Sequence, residues 1–374
     1  MNIPYGRQSI DEDDISAVID VLKSEYLTTG PSIAEFERTV ADYVGAKYAV
    51  AVSNGTAALH LACLAAGFKE GDEVITTPIT FVASANCVLY CGATPVFADI
   101  NPATYNIDPK DVRRKVTDRT KAIIAVHFTG QPCEMKELYE IAKEHNLLII
   151  EDAAHALGAD YEGKKIGSIS DMTTFSFHPV KHVTTGEGGM ITTNSKELYD
   201  RLLLYRSHGI TRDPSCMISN HGPWYYQQIE LGFNYRMTDF QAALGISQMK
   251  KLDTFIRRRK EIVNRYNDAF CKCKNIVIPK QALDCNNSWH LYVIQVLNKD
   301  RKAIFEALRA RGIGVNVHYI PVHTQPYYRN HGYAKVSCPN AEAVYEHFIS
   351  LPLYYGLTEE EQEYVIEQVL DLVQ

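Results

Sequence analysis

Apolar residues recur along the first 250 positions in two alternating spacings. Asp11–Lys23 carries Ile15, Val18, Ile19 and Leu22 at helical spacing. Pro31–Val44 does the same with Ile33, Phe36, Val40 and Val44, behind a proline that suits the first turn of a helix. Tyr48–Val52 is a short apolar run of the kind that makes a buried strand, and Ala57–Ala66 returns to helical spacing. The alternation continues through strand Glu73–Thr76, helix Val82–Tyr90, strand Pro95–Asp99, strand Ala122–Val126, helix Met135–Glu144 and strand Leu147–Ile150. Strands separated by helix-length segments predict βαβ units: an α/β fold with a mostly parallel central sheet flanked by helices. Thr173–Phe177 and Gly189–Thr193 bracket a glycine-rich turn and read as adjacent strands, with helix Lys196–Ser207 after them.

Thr238–Cys271 reads as one long periodic stretch leading from a large α/β domain (1–250) into a smaller C-terminal α+β domain (251–374). The smaller part is expected to hold strand Leu291–Val296, helix Arg301–Ala310, strand Gly314–His318, and helices near Ala341–Ser350 and Glu359–Val373. No repeat of 20–50 residues interrupts this order.

Charge narrows the partners. Lys+Arg total 38 against 45 Asp+Glu, a formal net charge of −7, so no basic excess exists to neutralise a nucleic-acid backbone. No apolar run approaches the roughly 18 residues of a membrane span. The acidic start lacks the charged-then-apolar pattern of a signal peptide. The nine cysteines include no C-x-x-C pair and no zinc spacing, which reads as free thiols in a reducing compartment. Together these features predict a soluble cytoplasmic protein with no metal, nucleic-acid or membrane partner.

Three segments carry candidate chemistry. Ser53-Asn54-Gly55-Thr56 joins a strand to a helix. Small residues there present backbone N–H groups to an anion, although an ordinary helix cap looks the same. No G-x-x-x-x-G-K-[ST] or G-x-G-x-x-G stands at that junction, which removes the usual support for nucleotide hydrolysis or dinucleotide binding. Glu151 and Asp152 follow an apolar strand, where open α/β sheets place ligands. A buried Asp152 there needs a cationic or proton-donating partner, and His155 lies three residues on. Lys181 leaves another apolar strand and precedes the run Gly186-Glu187-Gly188-Gly189. In a desolvated cleft such an amine loses its proton readily and attacks carbonyls.

At these residues the chain resembles a known family. S-N-G-T-A-A-L-H-L-A, T-P-I-T-F-V-A-S-A-N, E-D-A-A-H-A-L-G-A, F-S-F-H-P-V-K-H-V-T-T-G-E-G-G-M and G-F-N-Y-R-M-T-D-F-Q-A-A-L-G occur in order and cover nearly the whole chain. They look like the DegT-type sugar-nucleotide aminotransferases, pyridoxal 5'-phosphate (PLP) enzymes of the aspartate aminotransferase fold (fold type I). The resemblance implies that Lys181 is the Schiff-base lysine, that Asp152 faces the pyridine nitrogen and that His155 lies near the cofactor hydroxyl. By the same resemblance Phe81 stacks on the ring, and Gly55, Thr56 and Ser176 hold the phosphate. Asn234 would reach the phosphate from the other subunit of a homodimer, giving composite active sites. One branch of the family replaces the lysine with histidine and dehydrates its substrate; Lys181 favours amino transfer.

At the substrate end N-I-P-Y-G-R-Q-S-I, S-E-Y-L-T-T-G-P and V-N-V-H-Y-I-P-V-H-T-Q-P-Y-Y resemble the branch that serves pseudaminic acid biosynthesis. That branch aminates C4 of a UDP-linked 2-acetamido-2,6-dideoxy-4-hexulose with L-glutamate as donor. The resemblance places Tyr5, Tyr26, Leu27, Thr28, Thr29, Ser53, Ser176, Asn234, Val315, Asn316, Val317 and His318 at the sugar nucleotide. Arg236 would hold its diphosphate or else an internal carboxylate. Tyr319 and His323, like His318, read equally as rim or core. Other UDP- or dTDP-ketosugars, a non-catalytic PLP-binding regulator and a cysteine desulfurase on the same fold stand as alternatives.

Overall fold

Seven strands build the central sheet of the computed structural model, which describes residues 1–373: β1 (Tyr48–Val52), β2 (Glu73–Thr76), β3 (Thr94–Phe97), β4 (Thr120–Val126), β5 (Leu148–Asp152), β6 (Met172–Ser176) and β7 (Gly189–Thr193). Their order is β1-β7-β6-β5-β4-β2-β3. Only β7 runs against its neighbours; the other pairs in the sheet are parallel. The parallel strands are apolar on both faces because helices cover both. On one face α3 (Gly55–Ala66) packs against Val50, Ile124, Ile150 and Ile191. On the other, α2 (Pro31–Val44), which follows α1 (Glu12–Leu22), brings Phe36 and Val40 against Phe175, Phe177 and Met190. Phe36 is fully buried, a burial that contributes about 1.5–3 kcal/mol. Gly30 before Pro31 and the left-handed Gly45 after Val44 bound α2 as the sequence predicts.

The structure departs from the sequence expectations in several places. Strand β5 runs two residues further than predicted, since Asp152 stays in the ladder opposite Val126 on β4 and Thr174 on β6. The two carboxylates are therefore the last residues of the strand, not the first beyond it. Thr238–Cys271 is two helices, Asp239–Met249 and Leu252–Phe270; Thr238 and Gln241 cap the first reciprocally. Gly314–His318 forms no strand. Gly314 N–H donates to Ile3 O at 2.6 Å and Asn316 pairs only with Ser350, so the segment spans two partners without a continuous ladder. The helix expected over Ala341–Ser350 is Pro339–Tyr345 alone, and the apolar residues after it form a strand, Phe348–Leu351, antiparallel to Tyr292–Val296.

The C-terminal part has its own core, in which Tyr266, Tyr292, Ile349 and Val369 pack together. Ile3 belongs to that core too, and Tyr5 O accepts a hydrogen bond from Leu353 N–H at 3.1 Å. The start of the chain thus lies against residues 312–353 while residues 11–250 build the sheet and its helices. Gln374, the last position of the expected second domain, lies outside the described residues.

Candidate active site

The ends of β5 and β6, the start of α3 and the loop carrying Lys181 converge on a cavity of about 890 Å³. This is the size of an ordinary small-ligand site. Helix α3 begins with Asn54 as its cap, the Asn54 side chain accepting from Ala57 N–H at 2.8 Å. Helix geometry leaves the N–H groups of the first turn, Gly55 and Thr56, directed outward as an anion seat. Two glycines keep that seat close to the sheet. A Cβ at Gly55 would lie 3.0 Å from Ser176 Cβ, and one at Gly189 would lie 2.3 Å from Asn54 O. Gly55, Thr56 and the Ser176 hydroxyl thus form a small polar cradle.

Deeper in, Asp152 is buried, with Oδ2 accepting from Ser84 Oγ at 2.6 Å and Oδ1 from Ala154 N–H at 3.2 Å. Lys181 lines the same cavity, and burial brings its amine down to about 8, against an opposing pull from Asp152. Imidazoles crowd this end. Burial, and then the Lys181 charge, hold His155 and His290 well below the usual imidazole range and bring His318 to about 4. These rings are therefore neutral at pH 7. His155 Nε2 lies 3.2 Å from Tyr319 Oη, whereas its buried Nδ1 has no partner. Phe81 forms an exposed wall, its ring 6.3 Å from that of Tyr319.

Of the sequence-derived residues, the cavity gathers Tyr5, Gly55, Thr56, Phe81, Asp152, His155, Ser176, Lys181 and Asn316 to Tyr319. It does not gather the rest. Tyr26, Leu27, Thr28, Thr29 and Asn234 are exposed away from it, and Ser53 and Arg236 stand outside the lining, Ser53 N–H bonding to Tyr235 O. Val315 packs in the C-terminal core, and His323 is buried with Nε2 3.0 Å from Glu342. Sequence reasoning missed Thr80, Ser84, Tyr90, Tyr235 and His290 in the lining. Only Ser84, three positions after Phe81 in a helical segment, carried a spacing signal.

The chain matches the DegT/DnrJ/EryC1/StrS aminotransferase family over residues 8–370. It belongs to that family. A Caulobacter vibrioides protein named GDP-perosamine synthase is 41% identical over 98% of this chain and 98% of that protein. A Campylobacter jejuni protein named UDP-4-amino-4,6-dideoxy-N-acetyl-beta-L-altrosamine transaminase is 38% identical over 100% and 98%. Among solved structures, Helicobacter pylori PseC, described as an aminotransferase involved in the biosynthesis of pseudoaminic acid, superposes with a TM-score of 0.93 at 33% identity, covering 100% of this chain and 99% of that one. Spr1654 of Streptococcus pneumoniae, solved in its PLP form, gives 0.93 at 34%, covering 100% and 99%. The DegT-family chain described here is a PLP-dependent aminotransferase.

The residues present fit PLP. The Gly55–Thr56–Ser176 cradle suits a phosphate, the Asp152 carboxylate a protonated ring nitrogen, and the depressed Lys181 amine a carbonyl carbon. The unpartnered His155 Nδ1 is a buried polar atom that lacks only a ligand. No group of three or more metal-ligating side chains forms among the described residues, and no described helix is long and apolar enough to cross a membrane.

Proposed function

We propose that this DegT-family enzyme is a sugar-nucleotide aminotransferase. It moves the amino group of L-glutamate to C4 of a UDP-linked 2-acetamido-2,6-dideoxy-4-hexulose. The products are UDP-4-amino-4,6-dideoxy-N-acetyl-beta-L-altrosamine, a precursor in pseudaminic acid biosynthesis, and 2-oxoglutarate. The observation that carries the reaction type is the Lys181 amine, brought to about 8 by burial in one cavity with Asp152 and the phosphate cradle. The sugar assignment is supported by the 38% identity to the Campylobacter transaminase and the fold likeness to PseC.

Bound PLP supplies an electron sink and a carrier for the amino group. The protein does the rest. Lys181 Nζ, largely free of its proton above pH 8, would take the α-proton of glutamate and pass it to the cofactor's carbonyl-derived carbon, and would move a proton in the opposite direction, from that carbon to C4 of the sugar, in the second half-reaction. Asp152 holds positive charge at the ring nitrogen, and neutral His155 offers Nδ1 to the cofactor hydroxyl. Gly55, Thr56 and Ser176 anchor the phosphate end. At the outer end Tyr5, Asn316, Val317, His318 and Tyr319 offer hydroxyl, amide and apolar surface suited to a hexose.

The active unit in this reading is a homodimer. Ile15, Ile19 and Leu22 on the first helix, Tyr26 and Leu27 after it, and Ile218, Trp224 and Leu231 in the 210–231 hairpin region are exposed apolar side chains that a second copy would cover. Asn234 and Arg236, turned away from their own cavity, would serve the partner's. The nine cysteines, all free, suit a reducing cytoplasm.

The deciding experiment offers UDP-, GDP- and dTDP-linked 4-ketosugars with glutamate and reads the products by mass. Turnover confined to the UDP-linked N-acetyl sugar supports the assignment. Preference for a GDP-linked ketosugar replaces it with the sugar class named for the Caulobacter relative.

A further inference from the structure

We propose that Thr80 and Ser84 form a directed hydroxyl relay that orients Asp152, making both positioning residues for amino transfer. The proposal rests on the reading that Asp152 faces the cofactor's ring nitrogen.

Ser84 is fully buried and Thr80 nearly so, and both line the cavity. Ser84 Oγ stands 2.6 Å from Asp152 Oδ2, 2.7 Å from Thr80 Oγ1 and 3.3 Å from Phe81 O. A serine has one hydrogen. An ionised carboxylate at the shortest distance claims it over a neutral carbonyl. With the Ser84 proton committed, Thr80 must be the donor in the Thr80–Ser84 bond. The order is therefore Thr80 to Ser84 to Asp152, each hydroxyl polarising the next toward the carboxylate. Ala154 N–H restrains the other oxygen, Oδ1. Between them, Ser84 and Ala154 fix the carboxylate plane while leaving acceptor capacity toward the cavity.

Placement gives the relay its purpose. Asp152 ends β5, whereas Thr80 and Ser84 flank Phe81 on the turn that opens helix Ala83–Tyr90. One turn of chain thus carries both the exposed aromatic wall and the hydroxyls that hold the carboxylate. Movement of that turn shifts ring face and carboxylate together, so a flat aromatic ligand meets both in a fixed relation. A direct ionic contact from a long side chain would not couple them in this way.

Three variants test this: Ser84→Ala, which removes the donor; Ser84→Thr, which restores a hydroxyl; and Thr80→Val, which cuts only the second link. PLP affinity is measured by titrating the apoprotein with PLP. The pH midpoint of the bound PLP absorption band and the glutamate half-reaction, with its α-deuterium isotope effect, are read beside it. Ser84→Ala should weaken PLP binding and slow the half-reaction by about ten- to a hundredfold, shift the band midpoint and enlarge the isotope effect. Ser84→Thr should recover most of this, and Thr80→Val should move every readout the same way by a few fold. Wild-type affinity, midpoint and rate in Ser84→Ala would overturn the relay, as would a Ser84→Thr variant no better than Ser84→Ala. An unchanged Thr80→Val removes Thr80 from it. If the wild-type protein shows no glutamate half-reaction, the functional reading fails while the PLP affinities still report on the relay.

Discussion

The inner end of the cavity is made from the ends of regular elements, and the outer end from segments with hardly any ladder. Asp152 and Ser176 are terminal residues of two neighbouring strands, and Gly55 opens a helix. Their positions follow from strand register, in which a slip of one residue exchanges one face for the other. On β5 that slip would swap Asp152 for Glu151, which points to the opposite face and is consumed there by His127 Nε2 at 2.6 Å and Thr173 Oγ1 at 3.1 Å. The outer end is Tyr5 with Asn316 to Tyr319, joined by isolated bridges. The register of a sheet fixes where charge sits to better than a residue. Loops leave the outer wall free to change without disturbing that charge. Shared chemistry among relatives named for different sugars is what such a division of labour produces.

Substitutions at the inner end should therefore abolish chemistry, and those at the outer end should change binding. Lys181→Ala should show the largest effect. Overall transamination falls by at least about 10⁴-fold, and borohydride no longer fixes a pyridoxyl group on the peptide containing residue 181. An adduct on another lysine of wild-type protein would move the reactive amine elsewhere. Asp152→Asn should retain PLP yet slow α-proton removal by about 10²- to 10⁴-fold in stopped-flow half-reactions; a near-normal rate would break the contrast at its inner pole.

The pH dependence sharpens the same contrast. Burial lowers the Lys181 amine to about 8, so its reactive neutral form grows as pH rises and is nearly complete above pH 9. The rate at which apoprotein rejoins PLP should climb about tenfold per pH unit below pH 8 and then level off. An ordinary lysine would keep climbing past pH 10. Asn234→Ala should weaken PLP retention about ten- to a hundredfold, as loss of a charge-assisted bond does. Mixing Asn234→Ala with Lys181→Ala chains should restore part of the activity, since a heterodimer then holds one intact site. Mixed dimers without recovery would confine each site to its own chain. Least of all, Tyr5→Phe should raise KM for the ketosugar two- to tenfold with kcat and the glutamate half-reaction unchanged. A fall in kcat instead would draw the outer wall into the chemistry.

The inner end was legible because its residues break local rules in plain sight. A lysine between an apolar strand and a glycine run, and a carboxylate closing an apolar run, have no place in an ordinary core. The central sheet was legible for the converse reason, since its strands and helices keep their periods. What stayed hidden depends on partners distant in sequence. Ser84 looks like any small residue on a packed helix until Asp152 arrives 68 positions later. His290 precedes an apolar strand and gives no sign of facing His155, 4.3 Å away between ring centroids. Phe348, Ile349 and Leu351 fit a helical spacing, and only their pairing with Tyr292–Val296 makes them a strand. Gly314–His318 shows the opposite failure: a strand-like composition with one hydrogen-bonded partner on each side and no ladder.

The docking of Ile3 and Tyr5 onto residues 312–353 has a consequence for the order of events during synthesis. Residues 3–5 leave the ribosome well before Gly312, Gly314 and Leu353, which hold them. N-terminal regions fold first as a chain is made. The nascent protein can therefore complete its central sheet, with Asp152 and Lys181 already in place, while Tyr5 is still unattached. Until translation reaches Leu353 the cavity stands open at its outer end. The last act of assembly is the return of Ile3 and Tyr5 to close it.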